Sequence, residues 1–173
     1  KMFERALQKD GRVESGVGSL KISAFFNSSF EESYMPISED RIYYYQRLAT
    51  ALSGVELDKI QSEVVDRFGV LALSAKNMFD LSRLRLIYNK SFVSKIDVRK
   101  GSVVFIFNKN NSLLFKEYFG RLIDNLNQTS IDHSFKRGNH DSLCVEIPVG
   151  FDVVPIEAAF MYADYFIYNK KNG

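Results

Sequence analysis

No tryptophan, two histidines and one cysteine occur in the 173 residues of this chain, and each scarcity removes a class of function. Cys144, standing alone, excludes an internal disulfide and any cysteine-based metal cluster, and it fits a reducing compartment. His133 and His140 are too few for a histidine-led metal centre, and no His-x-x-x-His or Cys-x-x-Cys spacing occurs. No apolar stretch approaches the ~20 residues of a membrane helix. No apolar core follows Lys1-Met2-Phe3-Glu4-Arg5 to make a secretion signal. The charge is nearly balanced, at +2, so there is no bulk electrostatic pull toward nucleic acid. Gly16-Val17-Gly18 lacks the third glycine of a dinucleotide loop, and no Gly-Lys-Ser/Thr occurs to form a Walker loop.

What is present is an ordinary globular composition, 46% hydrophobic and 25% charged, rich in Phe and Tyr and long enough to bury a core. The chain opens abruptly on a helical pattern, with Phe3, Ala6 and Leu7 at i, i+3 and i+4, and is expected to be a piece of a larger protein. After a break at Gly11–Gly18, alternation predicts a strand over about 19–26. Three helices are predicted next. The first is capped by Ser38, with Ile42, Tyr45, Leu48 and Leu52 inward. The second opens on the capping box Ser53-Gly54-Val55-Glu56, buries Leu57, Ile60, Val64 and Phe68, and stops at Gly69. The third is capped by Ser74 and carries Met78, Leu81, Leu84 and Tyr88 on one stripe.

The period then changes. Strands are predicted over 93–98 and 102–107 around the turn Arg99-Lys100-Gly101, and the second ends at Lys109-Asn110-Asn111. A helix capped by Ser112 follows, then strands over about 131–136 and 142–147, then a helix from Pro155 to about Tyr168. The predicted class is α+β: three consecutive helices plus antiparallel hairpins packed with helices, with hairpin–helix repeated in the second half. Residues 1–33 read as a linker with a helix end and a strand, and residues 34–173 as the domain proper.

No catalytic, cofactor or metal site emerges. Gly138-Asn139-His140-Asp141 resembles one metal loop of the metallophosphoesterases, but Asp132-His133 has the wrong spacing for a partner loop and no Gly-Asp pair occurs. The tetrapeptide reads instead as a hairpin turn. Cys144 lies mid-strand between Leu143 and Val145, as a small packing residue would. A basic group, Arg83, Arg85, Lys90, Lys95, Arg99 and Lys100, reads first as solvated surface and a turn. Its alternative is a small nucleic-acid-binding module using Arg83 and Arg85 of the third helix and Lys95, Arg99 and Lys100 of the first hairpin. In Tyr43-Tyr44-Tyr45, helical spacing sends Tyr45 to the core stripe.

Glu63 and Asp66 are i and i+3 on the second helix, opposite its apolar stripe, and Glu56 and Lys59 continue their face. Taken alone, the pattern favours a solvated face with local Asp66–Arg67 or Lys59–Glu63 pairs, since surface charges are common.

The order of motifs adds to this reading. Pro36, Tyr45-Gln46-Arg47-Leu48-Ala49, Asp66-Arg67-Phe68-Gly69, Leu81-Ser82-Arg83-Leu84-Arg85 and a hairpin around Gly101 follow one another over roughly 70 residues. In that order they resemble the C-terminal domain of the bacterial transcription-repair coupling factor (Mfd). The segment departs from the family at Leu71-Ala72, where Leu-Pro is usual, and at Ser91-Phe92, where Leu-Gly is usual. The resemblance implies a bacterial, cytoplasmic parent protein that uses ATP and Mg to translocate on duplex DNA, displaces stalled RNA polymerase and recruits repair. It implies that this domain is not the motor but an autoinhibitory clamp, docked on a UvrB-like module of the same protein and covering the surface that binds UvrA. Glu63 and Asp66 match the acidic positions of that contact, with Glu56 and Lys59 beside them. Arg67 is implied to orient Asp66, while Phe68 and Gly69 look structural.

Overall fold

A computed structural model describes residues 20–89, 91–107, 112–138, 142–150 and 154–167. The expected N-terminal helix end, Gly16-Val17-Gly18, Lys90, Lys109-Asn110-Asn111 and Asn139-His140-Asp141 lie outside the described residues. The fold is α+β, with six helices and five strands among those residues. It divides into two compact units, one spanning Phe26–Leu86 and the other holding the sheet and the described residues from Ile87 onward.

In the first unit three helices run in succession: α1 (Ser38–Thr50), α2 (Gly54–Phe68) and α3 (Leu73–Tyr88, grouped here as far as Leu86). Phe30, ahead of α1, also belongs to this unit and packs edge-on against Tyr44 and Phe79. Four local expectations for α1 and α3 are corrected. Ser38 is not a cap: it lies in the first turn and its hydroxyl donates to Glu39, while Arg41 donates to the Met35 and Pro36 carbonyls. The inward stripe of α1 is Tyr44, Leu48 and, just beyond it, Ala51, whereas Ile42 and Leu52 are 48% and 88% exposed. Of the three consecutive tyrosines, Tyr44 and not Tyr45 is fully buried, its ring edge-on to Phe30 and Phe68 and its hydroxyl bonded to Glu63 and Arg67 of α2. Ser74 lies inside the first turn of α3 rather than at its cap.

The helix boundaries of α2 follow from its sequence. Ser53 Oγ accepts from the Glu56 amide at 3.2 Å, and the Glu56 carboxylate accepts from the Leu52 amide at 3.0 Å, so the capping box closes one residue early. Leu57, Ile60 and Val64 are buried, Phe68 packs at the edge of the same core, and Gly69 ends the helix at φ +82°. Burying three such aliphatic side chains contributes roughly 1.5–3 kcal/mol each.

In the second unit, β1 (Lys21–Ala24), β2 (Val93–Val98), β3 (Ser102–Phe107), β4 (Ser134–Arg137) and β5 (Leu143–Pro148) form one sheet in the order β1-β2-β3-β5-β4. The two hairpins are antiparallel, as expected, and join through β3 and β5. β1 departs from that pattern and pairs parallel to β2, Lys21 beside Lys95 and Ala24 beside Val98. A parallel pair needs a long crossover, and the whole first unit lies between these two strands in sequence.

α4 (Leu113–Asn127) is capped by Ser112, as expected, and buries Phe115, Tyr118, Leu122 and Leu126. α5 (Pro155–Met161) starts on its proline. The predicted last helix is broken at Tyr162, and a short α6 (Ala163–Phe166) follows. The break brings Phe166 into the core, stacked at 3.9 Å on Phe105 of β3. Tyr88 and Tyr118 are buried with their hydroxyls donated to the Ala159 and Phe166 carbonyls, and burial pushes both phenols up. Cys144 is buried in β5. No helix among the described residues is long and apolar enough to cross a membrane.

Candidate functional site

The polar side of the α1–α2 pair is built from residues that the helix period places opposite each other. Positions 40, 43, 44 and 47 of α1 are one helical face, and so are 63 and 67 of α2. Arg47 Nη1 reaches Glu63 Oε2 at 2.5 Å, and the Tyr44 hydroxyl donates to Glu63 Oε1 at 3.0 Å. Arg67 Nη1 donates to that same hydroxyl at 3.1 Å, and its Nη2 to both oxygens of Asp40 at 3.2 and 3.3 Å. Arg47 is steadied by the Tyr43 hydroxyl at 3.2 Å and by the Tyr43 ring, 5.2 Å from its guanidinium carbon. Arg67 lies over the Phe68 ring at 5.0 Å.

The result is a charge-balanced chain of hydrogen bonds, Asp40–Arg67–Tyr44–Glu63–Arg47–Tyr43, joining α1 to α2. Its electrostatics follow from the contacts. The hydrogen bond from Arg47 holds the Glu63 carboxyl below the ordinary range, and burial pushes the Tyr44 phenol up.

The residues singled out in the sequence fall into two groups. Glu63 is turned toward α1, its side chain 39% exposed and both oxygens engaged. Asp66, Lys59 and Glu56 are exposed. Glu56 is engaged in capping, while Asp66 and Lys59 show no hydrogen-bond or ion-pair partner among the described residues. The expected Asp66–Arg67 and Lys59–Glu63 pairs do not form: Arg67 takes Asp40 and Tyr44, and Glu63 takes Arg47. Asp66 and Arg67 are adjacent and leave the helix on different faces, and both Glu63 oxygens are already taken by donors from α1. Arg67 therefore supports Tyr44 and does not orient Asp66. The Phe68 ring packs at the edge of the core, and the Gly69 carbonyl accepts from the Tyr34 hydroxyl at 2.9 Å.

The basic residues of the alternative reading are largely engaged within the protein. Arg83 bonds Asp58 and Gln61 at 2.7 and 2.8 Å. Arg85 donates to the Leu48 and Ala51 carbonyls, both at 3.0 Å, and serves as a side-chain cap for the end of α1. Arg99 pairs with Asp97 at 3.0 Å. Lys95 is half-buried and Lys100 exposed. No cluster of histidine, cysteine, aspartate and glutamate able to hold a metal occurs among the described residues.

Sequence reasoning missed Tyr44, Arg47 and Asp40 as members of this network. The available signal was that Tyr45-Gln46-Arg47-Leu48-Ala49 and Asp66-Arg67-Phe68-Gly69 each carry an arginine, on neighbouring helices whose opposing acids are Asp40 and Glu63.

Comparison with known proteins bears on this face directly, because it lies within the matched segment. The sequence model of the TRCF domain matches residues 22–118. The chain is similar to the transcription-repair-coupling factor of Escherichia coli K12, 33% identical over 85 residues, covering 49% of this chain and 7% of that protein. The factor of Haemophilus influenzae is 36% identical over 66 residues, 38% of this chain and 6% of that protein. That of Buchnera aphidicola from Acyrthosiphon pisum is 29% identical over 111 residues, 62% and 14%. The chain thus spans a small part of the length of these relatives. Its fold is similar to a crystal structure of the C-terminal domain of transcription-repair coupling factor, with a TM-score of 0.66 at 16% identity, covering 86% of this chain and 91% of that one.

Proposed function

The chain belongs to the TRCF domain family, and from that premise we propose that it is a non-catalytic regulatory domain of a bacterial transcription-repair coupling factor, acting by docking. In this reading it docks on the UvrB-like module of its own parent protein in the cytoplasm and masks the surface that UvrA would bind. ATP hydrolysis with Mg, grip on duplex DNA and contact with RNA polymerase belong to other modules of that parent.

The observation that carries the reading is the outward face of α2. It presents the exposed Asp66 carboxylate, without a partner among the described residues, on a helix tied to α1 by the Arg47–Glu63 and Arg67–Asp40 contacts. A helix offering an unneutralised carboxylate suits a basic partner surface. Affinity need not be high. A tethered domain sees its partner at an effective concentration on the order of mM. An intrinsic Kd of ~10–100 μM, about 5.5–7 kcal/mol, would keep the clamp mostly closed. Full release, from 99:1 closed to 99:1 open, then needs ~5.5 kcal/mol of differential binding by whatever opens it.

The test is a titration of this chain with the UvrB-like module of its parent, followed by NMR to near-millimolar concentration. Saturable shifts centred on α2, lost on Asp66→Lys, are expected. A module that leaves the spectrum unchanged at that concentration would overturn the docking role.

A further inference from the structure

The two faces of the sheet differ in kind. One carries Ile96, Val98, Val103, Phe105 and Val145 into the core. On the other, the Ser23 hydroxyl donates to Asp97 at 2.7 Å, so alternate positions of β1 and β2, Lys21 and Lys95 among them, share that face. The acids of this face are already neutralised. Arg99 bonds Asp97 at 3.0 Å and lies 3.8 Å from Glu146, which accepts from Ser102 at 2.9 Å and pairs with Lys136. Lys21 and Lys95 stand outside that set. They are register partners on neighbouring parallel strands, and neither has a hydrogen-bond or ion-pair partner among the described residues. We propose that this open sheet face binds the phosphodiester backbone of a single nucleic-acid strand, with Lys21 and Lys95 as its principal cations.

Like charges directly opposite each other in a sheet are destabilising. A lysine on an edge strand commonly deters pairing with another chain, which would account for Lys21 on β1. It does not account for Lys95, because β2 lies between β1 and β3 and has no open edge. An anion seated against both ammonium groups removes the repulsion. Its chemical class follows from the face. The main chain of β2, β3 and β5 is engaged on both sides by the ladder, so an extended acidic peptide laid across the face finds no backbone partners. A phosphodiester needs only charge, which lysine supplies without a fixed geometry. No aromatic residue of the five strands lies on this face, since Phe105, Phe107 and Phe135 alternate to the other, and binding is therefore expected without base preference. A flat sheet inserts no helix or ribbon into a groove. A flexible strand can instead follow the register row Lys21, Lys95, Ile106, Cys144, Lys136 across the sheet.

The test is an NMR titration of this chain with a short oligothymidylate strand, with duplex DNA of the same length and oligoglutamate as the other arms. Saturable amide shifts on β1 and β2 are expected with the single strand. Two lysines predict that its affinity falls about sevenfold from about 50 to about 200 mM salt, a slope of ~0.7 log units per lysine. Lys21→Gln and Lys95→Gln should each remove about half of that slope. Lys116→Gln is the control of equal charge: Lys116 is exposed on α4, whose Phe115 and Tyr118 pack on Phe107 at the other face, and its loss should leave the slope unchanged. Because each sheet substitution relieves a repulsion, its denaturant midpoint should hold or rise. A lowered midpoint would mean that the lysine serves the fold, and would overturn the assignment. So would a spectrum unmoved by the strand at low salt, or binding indifferent to both sheet substitutions. Oligoglutamate binding as tightly as the strand would make the ligand an acidic peptide instead, and tighter binding of the duplex would overturn the single-strand assignment.

Discussion

The Tyr44 hydroxyl lies 3.0 Å from Glu63 Oε1 and 3.1 Å from Arg67 Nη1, so a ring with no exposed surface links two charged residues of α2. The aromatic part fills the core between α1 and α2 and the oxygen satisfies the polar rim. Tyr44→Phe keeps the first role and deletes the second. Because Glu63 and Arg67 reach water, the loss should sit near the low end for such bonds, about 1–2 kcal/mol, seen as a lower denaturant midpoint with unchanged slope. Tyr44→Ala removes the ring as well and should cost about 3–5 kcal/mol.

Arg85 ties α3 to the end of α1 through the Leu48 and Ala51 carbonyls. Burial depresses its pKa, the mark of a cation enclosed by protein rather than offered to a ligand. Arg85→Met should therefore lower stability by about 1–3 kcal/mol, because two helix-end carbonyls lose a charged donor. A nucleic-acid role for Arg85 predicts the reverse pattern: stability kept, and a salt-dependent duplex-DNA shift weakened by the substitution. Denaturation and a gel shift at two salt concentrations decide between them.

Much of this fold was legible in the sequence where one physical rule acted alone. The Leu57, Ile60, Val64 stripe and the Ser53 and Ser112 caps follow from helix period and capping chemistry. The two antiparallel hairpins follow from alternation about short turns. Other features depend on partners distant in sequence. Tyr43, Tyr44 and Tyr45 are alike on paper, and the Tyr44 ring is enclosed by Phe30 and Phe68 while its hydroxyl meets Glu63 and Arg67, partners from outside α1. The parallel pairing of β1 depends on β2, beyond three helices. At the candidate site, the spacing of Glu63 and Asp66 showed a shared face but not that one carboxylate turns inward to Arg47.

The acid limb of the stability profile should report Glu63. Its carboxyl is held below the ordinary value by the hydrogen bond from Arg47, so its folded pKa lies below its unfolded one. The stabilisation is thus complete above the unfolded value, about 4.3, and is lost as pH falls through the folded value. Thermal melts from pH 7 to pH 3 should show the midpoint falling below about pH 5, and Glu63→Gln should flatten that fall while leaving the slope above pH 6 alone. The flattening should be partial, because Glu146, held low by hydrogen bonds from Lys136 and Ser102, titrates in the same direction. A Glu63→Gln profile parallel to the parent's throughout would mean that the Arg47 contact does not persist in solution.

Asp66 and Gly69 sit three residues apart at the end of α2, and substitutions there should separate fold from recognition. Gly69 has φ +82°, and a Cβ built on it meets nothing within 4 Å, so Gly69→Ala is opposed by backbone conformation rather than by a clash. The expected cost is about 1–2 kcal/mol of stability. Docking by the protein that remains folded should be unchanged, because the Asp66 face is untouched. Asp66→Asn is the converse. The side chain is exposed, so stability should move by no more than about 0.5 kcal/mol, while affinity for a basic partner falls. Measured together by chemical denaturation and by titration with the parent's UvrB-like module, the two variants should affect different axes. If Asp66→Asn unfolded the domain instead, its carboxylate would be part of the fold, and the outward face of α2 would lose the group on which docking is argued.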